Sequence, residues 1–396
     1  MSDDPRSICP RPEIVAAGPT QPLATPIYTS AVYRCADTGQ ASAIMDDELP
    51  GYVYARDGHP NADVLAEKCR LLHAADRAIV CSSGMAALAA TALALLQTGD
   101  RVVASNMLYG RTQTLLTSEL GRLGISCDLV DTCDLSAAER ALARGPAKLL
   151  VVETISNPLL RVADIKALAE RAHAHSALLL VDNTFAGPVL CRPLALGADL
   201  VVESLTKTMS GHSDVVLGAL CGRESSWSRI GPTVSTWGLA SSPFDCWLAM
   251  RGMGTLPLRI ERASANALDA AEYLQTVEQV AEVHYPGLEN HPDHALAQRQ
   301  LTGGFGTVVT FRLREGLEAA DEFIRAANEI PFCPSLGDLC TTLSHPASTS
   351  HRSLTCEQMA ALGIDGGTIR LSLGIEPPAA IRAALAKGFA GLTAPT

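Results

Sequence analysis

The chain has 396 residues, 47% of them hydrophobic and 18% charged, with a formal net charge of −11 and a pI of about 5.4. It is too apolar to be disordered and too long for one ordinary core. The acidic balance, without a Lys/Arg block, argues against a nucleic-acid partner, and the short, broken apolar runs argue against a membrane span.

Twelve cysteines are scattered along the chain with no Cys-x-x-Cys pair, which reads as reduced, mostly buried thiols in a cytoplasmic protein. No apolar signal core opens the sequence.

Residues 1–60 are rich in Pro, Gly and short polar stretches and have few clean periods. They read as a loosely ordered arm or as an arm docked on a neighbouring subunit. A helical rhythm then starts near Asp63 and leads to an apolar run at 78–81. Ser82-Ser-Gly-Met85 follows, then an Ala/Leu-rich helix to about Leu96.

The pattern repeats. Strands are expected at 101–104, 125–130, 148–152, 178–181 and 200–202, with helices at 112–122, 136–143 and 163–173 between them. Such uniformly apolar strands are buried on both faces. Their alternation with helices predicts an α/β fold with a mainly parallel sheet and helices on both faces. A Gly/Ser-rich passage spans 210–242. A long amphipathic helix at 257–274 opens a mixed stretch, with strands at 307–313 and 368–373 and helices at 317–328 and 379–389. The predicted division is an arm over 1–60, a larger domain over 61–256 and a smaller α+β domain over 257–396.

Sheets of this kind bind ligands at the carboxyl ends of their strands. Four segments there carry polar groups. Ser82-Ser-Gly-Met85 lies between strand and helix, where free N–H groups attract phosphate, although many helices start this way with nothing bound. Asp182 ends a buried strand and needs a partner; a pyridinium N–H, a helix cap and an arginine all serve. Lys207 sits among Ser204, Thr206 and other small residues. There it is a nucleophilic amine or a snorkelling lysine. Arg370 lies in an apolar strand and suits an α-carboxylate or an internal ion pair.

Together these residues resemble the Cys/Met-metabolism (transsulfuration) family of pyridoxal-phosphate enzymes. The similarity runs through Tyr54-Ala-Arg56, Ser82-Ser-Gly-Met85, Leu108-Tyr-Gly110, Glu153-Thr-Ile-Ser-Asn-Pro158 and Val181-Asp-Asn-Thr-Phe-Ala186. It continues through Ser204-Leu-Thr-Lys207, Tyr285-Pro-Gly287, His345-Pro-Ala-Ser348 and Ile369-Arg-Leu-Ser372. That family includes cystathionine γ-synthases, cystathionine and methionine lyases, and O-acylhomoserine sulfhydrylases.

The resemblance implies the type I (aspartate aminotransferase-like) fold and pyridoxal 5'-phosphate as cofactor. It implies that Lys207 carries the cofactor as a Schiff base and that Asp182 pairs with its ring nitrogen. Gly84, Met85, Ser204 and Thr206 hold the phosphate. Tyr109 stacks on the ring and acts as acid or base, and Asn157 lies near the ring's phenolic oxygen. Arg370, with Ser335 nearby, takes the substrate carboxylate. Tyr54 and Arg56 reach the phosphate of the adjacent subunit, so a homo-oligomer is expected, a tetramer built from dimers that share active sites.

Where cystathionine enzymes of the family place acidic residues, this chain has Val53 and Cys340. No carboxylate is left there for a distal ammonium. Val53 resembles methionine γ-lyases and sulfhydrylases, whereas Arg111 stands where methionine γ-lyases have cysteine. Arg111 either points into the pocket toward an anionic group or turns to solvent. The leading expectation is elimination at Cγ, giving a 2-oxo acid, ammonia and a thiol. The alternatives are γ-replacement by a sulfur nucleophile on a sulfur amino acid or O-acylhomoserine, and a non-catalytic cofactor-binding protein. His173-Ala-His175 and His291-Pro-Asp-His294 lack a third ligand at familiar spacing and read as solvated surface histidines rather than a metal site.

Overall fold

The structure, a computed structural model, describes residues 4–11, 20, 22–352 and 354–392. The rest of the predicted 1–60 arm and the last residues to 396 lie outside the described residues.

Seven strands form the larger sheet: β1 (Arg77–Cys81), β2 (Arg101–Ser105), β3 (Ser126–Val130), β4 (Leu149–Glu153), β5 (Leu178–Asp182), β6 (Leu200–Ser204) and β7 (Gly218–Gly222). Their order is β1-β7-β6-β5-β4-β2-β3. The ladders β3-β2-β4-β5-β6 are parallel, and β7 pairs antiparallel with both β6 and β1.

The uniformly apolar strands divide their side chains between two cores. Leu150, Val152, Leu179, Val181 and Val201 pack on one face with the helices at 60–73, 135–142 and 165–174. Leu149, Val151, Leu180, Leu200 and Val202 pack on the other, under the Ala-rich helix Gly84–Leu95. The period of two is present but hidden, because both faces need apolar residues.

A second sheet follows the long helix Leu256–Gln275. It contains β8 (Val280–His284), β9 (Val308–Leu313), β10 (Thr342–Ser344) and β11 (Thr368–Ser372), all antiparallel, in the order β10-β11-β9-β8. Ile369, Leu371, Val309 and Phe311 face a third core covered by the helices at 316–326 and 378–390. The alternate residues, Arg370 and Thr310 among them, face the first sheet's side, where the Thr310 hydroxyl donates to the Pro158 carbonyl at 2.6 Å.

Several elements depart from the sequence expectation. The helix expected over 112–122 is three short pieces: α-helical at 110–114, π-helical at 115–119 and 3-10 at 121–123. The Gly/Ser-rich passage contains β7 and the helix Ile230–Thr236, and the helix Pro243–Met253 begins directly after it. Glycine at each end of β7 masked its strand pattern, yet both are sterically required. A Cβ at Gly218 would lie 2.2 Å from the Ser83 carbonyl oxygen, and one at Gly222 would lie 2.5 Å from the Leu200 side chain.

Candidate active site

The strands β4, β5 and β6 end together, and their last residues, Glu153, Asp182 and Ser204, line a cavity of about 910 Å3. At the end of β1, Ser83 caps the helix Gly84–Leu95: its hydroxyl accepts from the Ala86 N–H at 3.0 Å and its carbonyl from the Ala87 N–H at 3.0 Å. The N–H groups of Gly84 and Met85 are at the first two positions of this helix, before its first internal bond, where an anion is favoured. A Cβ on Gly84 would sit 3.0 Å from the Ser204 Cβ, so glycine lets this loop close onto the end of β6. Thr206 fixes the same corner differently. Its hydroxyl donates to the Leu217 carbonyl at 3.2 Å and accepts the Leu217 N–H at 3.1 Å, tying it to the start of β7.

Glu153 and Asp182 end neighbouring strands, directly paired in the ladder. Asp182 Oδ1 accepts from the Thr184 N–H at 3.1 Å and the Thr184 hydroxyl at 2.5 Å, and that hydroxyl in turn accepts the Ser204 N–H at 2.9 Å. Burial pushes the Asp182 carboxyl up to about 6, against the Thr184 hydrogen bonds and with help from Glu203. Glu153 is raised for the same first reason and then by Asp182. Its Oε1 accepts the Tyr109 N–H at 2.6 Å, while its buried Oε2 has no hydrogen-bond partner among the described residues.

Behind Asp182 lies a buried polar chain. The Asn183 amide donates to Glu203 Oε1 at 2.8 Å and to the Cys191 carbonyl at 3.0 Å, and its oxygen accepts from the Thr154 hydroxyl at 2.6 Å. His73 Nε2 stands 3.3 Å from Glu203 Oε1.

Lys207 follows β6 by one tight turn, its N–H bonded to the Ser204 carbonyl at 3.1 Å. Its amine donates to the Ser335 hydroxyl at 3.0 Å. Burial lowers its pKa, and Arg370 lowers it further. Arg370 reaches in from β11. Nη1 donates to Asn157 Oδ1 at 2.8 Å and Nη2 to the Ser335 carbonyl at 2.9 Å. Its buried Nε has no hydrogen-bond partner among the described residues, and burial brings its pKa down to about 10. Ser335 therefore couples amine and guanidinium through two different atoms.

Most of the expected site residues meet here: Gly84, Met85, Tyr109, Arg111, Asn157, Asp182, Ser204, Thr206, Lys207, Ser335 and Arg370 all line the cavity. Tyr54 and Arg56 do not. Both are exposed, with the Arg56 guanidinium 4.9 Å from the Tyr54 ring centroid. Val53 and Cys340 also lie off the cavity wall.

Sequence reasoning passed over Glu153, Thr184, Phe185 and Arg352, which line the same space. A charged residue ending an apolar strand marks Glu153 just as it marks Asp182. Arg352 gave no such signal, because its segment has no regular period. The histidine clusters need one correction. His173 and His175 bond outward to Asp199 and Glu139 at 2.9 and 2.8 Å, but His291 is buried, and burial lowers its pKa to about 4. It caps a turn by accepting the Asp293 N–H at 3.2 Å.

These features suit a phosphorylated aromatic aldehyde with a basic ring nitrogen. The free N–H groups and tight glycine at Gly84 offer a phosphate cradle. Glu153 is a buried and Asp182 a half-buried carboxylate, and neither has a cationic partner among the described residues. Lys207 is an amine whose pKa burial and Arg370 lower, which favours attack on an aldehyde.

The chain matches the Cys/Met metabolism PLP-dependent enzyme family over residues 14–390. It is 39% identical over 366 residues to an O-succinylhomoserine sulfhydrylase of Pseudomonas aeruginosa, covering 92% of this chain and 90% of that one. It is 37% identical over 371 residues to an L-methionine gamma-lyase of Fusobacterium nucleatum subsp. polymorphum, covering 93% of each. A crystal structure of cystathionine gamma synthase from Xanthomonas oryzae pv. oryzae in complex with cystathionine superposes with a TM-score of 0.91 at 35% identity, over 98% of this chain and 99% of that one.

Proposed function

The chain belongs to the Cys/Met metabolism PLP-dependent enzymes, and on that premise we propose that it eliminates a thiol or similar group from Cγ of a sulfur amino acid. With one water consumed to hydrolyse the resulting imine, the products are a 2-oxo acid, ammonia and the protonated leaving group. The observation that carries this reading is the amine of Lys207, hydrogen-bonded at 3.0 Å to the same Ser335 that receives Arg370.

Lys207, Asp182 and the Gly84–Met85 turn with Ser204 would hold pyridoxal phosphate. When bound, the cofactor supplies an electron sink for the charge left at Cα as its proton departs.

The chain's own groups do the rest. Arg370 and Asn157 hold the α-carboxylate, which orients the Cα–H bond toward the base. Lys207, its pKa lowered, takes the proton from Cα and then serves Cβ, which Cγ chemistry requires. Tyr109, held through its N–H by Glu153, brings a hydroxyl to protonate the leaving atom.

The predicted domains divide the work: 61–256 supplies the amine and the carboxylates, and 257–396 supplies Arg370 and Ser335. In the oligomer, a tetramer built from dimers, the 1–60 arm carries Tyr54 and Arg56 to a neighbour's site. The reduced cysteines fit a cytoplasmic enzyme.

A replacement reading is supported by the sulfhydrylase similarity at 39% identity. Products separate the two. Holoenzyme is incubated with methionine and with homoserine esters, with and without an added thiol. Elimination gives 2-oxo acid and ammonia in both arms. A dominant thioether product in the thiol arm would reverse the assignment.

A further inference from the structure

The cavity wall carries four cations, Lys207, Arg370, Arg111 and Arg352, against two carboxylates, Glu153 and Asp182. The inner groups are engaged. Arg370 holds Asn157 and Ser335, Lys207 holds Ser335, Asp182 receives Thr184, and Glu153 receives the Tyr109 N–H. Arg111 and Arg352 differ. Both are exposed at the rim, and neither guanidinium has a hydrogen-bond or ion-pair partner among the described residues.

Their segments also adjoin. A Cβ on Gly110 would lie 3.0 Å from the Ser350 carbonyl oxygen, so the backbone before Arg111 packs against the backbone leading to Arg352. Two like charges on adjoining backbone repel each other unless an anion sits between them. The wall offers none, since its carboxylates lie at the strand ends and are committed there.

We infer that Arg111 and Arg352 form a specificity-determining pair that reads a carboxylate at the far end of the substrate side chain. The favoured substrates are then amino acids whose leaving group carries a second acid: a carboxylate-bearing thiol joined to Cγ in the elimination reading, or a dicarboxylic acid esterified to homoserine in the replacement reading. A guanidinium pair gives such a carboxylate charge-assisted, forked hydrogen bonds. A neutral thioether gains nothing from the pair. A distal amino acid group would bring its ammonium to two cations and no free carboxylate. This deepens the proposed reading, in which the site acts at Cγ of an amino acid.

The test uses two amino acids of equal chain length, L-2-aminosuberate and L-2-aminooctanoate. One ends in carboxylate and the other in methyl, and neither can lose a group from Cγ. Their dissociation constants are read from the absorbance of the holoenzyme's cofactor. The diacid should bind wild type about tenfold tighter or more, the scale of one charge-assisted contact. Arg111→Gln and Arg352→Gln should each shrink that ratio, and the double variant should bring it close to unity. Arg111→Lys should keep part of it.

A ratio near unity in wild type, or one unchanged in the double variant, overturns the inference. So does an equal loss of both ligands together with weakened cofactor retention, which would assign the pair to the cofactor. Because no product is measured, this result stands apart from the Cγ assignment, whose own failure is the absence of product from every substrate.

Discussion

Glu153 and Asp182 are register partners at the ends of β4 and β5, so two carboxylates stand side by side at the cavity floor. Both are raised by burial, Asp182 to about 6. Without a cation between them, the folded chain keeps a proton that the unfolded chain has already lost. The unfolded state therefore binds fewer protons in this window, and stability falls as pH rises.

Protein stripped of cofactor should accordingly lose stability as pH rises from about 4 through 6, by on the order of a few kcal/mol shared between Asp182 and Glu153. Denaturant midpoints across that window measure the slope. Asp182→Asn should flatten it, and restoring pyridoxal phosphate should stabilise the protein most at the upper end. A slope unchanged in Asp182→Asn would remove this carboxylate from the account.

Lys207→Ala should abolish turnover, by at least about a thousandfold, because one group supplies both the attachment and the base. The holoenzyme's yellow absorbance and the borohydride-fixed adduct at this position should vanish with it. Retention of both by the variant would refute the assignment.

Arg370→Met should raise KM for the amino acid about a hundredfold, the scale of a forked contact to a carboxylate. It should also move a pH limb. Arg370 depresses the Lys207 pKa, so its loss lets that pKa rise. The acid limb of kcat/KM then shifts to higher pH. Arg370→Lys keeps the charge, so it should hold the limb in place while KM still suffers. Identical pH profiles in wild type and Arg370→Met would break the coupling between the two cations.

Gly218→Ala should destabilise the protein by about 3 kcal/mol or more, since the new methyl meets the Ser83 backbone at 2.2 Å rather than a side chain able to turn away. Cofactor retention should fall with it, because Ser83 caps the helix start that Gly84 opens. Thermal melts and cofactor release on dilution report the two effects. A variant melting like wild type would show that the loop can move aside freely.

The centre of the parallel sheet was legible because β4, β5 and β6 are apolar on both faces and lead straight into polar residues. Asp182, at the end of β5, and Lys207, just past β6, stood out for that reason, and Glu153 carries the same mark. What escaped was whatever lacks a period. β7 is masked by its terminal glycines, β10 is three residues long, and β8 lies at an edge with a mixed burial pattern. The nearness of Ser335 to Arg370 was expected from the family resemblance alone, since the two lie far apart in sequence and no local spacing announces their bond. Arg352 belongs to a loop, where a charged residue carries no periodic signal at all.

The position of β7 has a consequence for biosynthesis. β1 emerges first from the ribosome, but it joins its sheet only through β7, which ends at Gly222. Until that segment has been translated, β1 has no neighbour to complete it. The nascent chain must carry this strand exposed while the parallel strands beyond it assemble. Its need for chaperone protection should therefore end when Gly222 clears the exit tunnel.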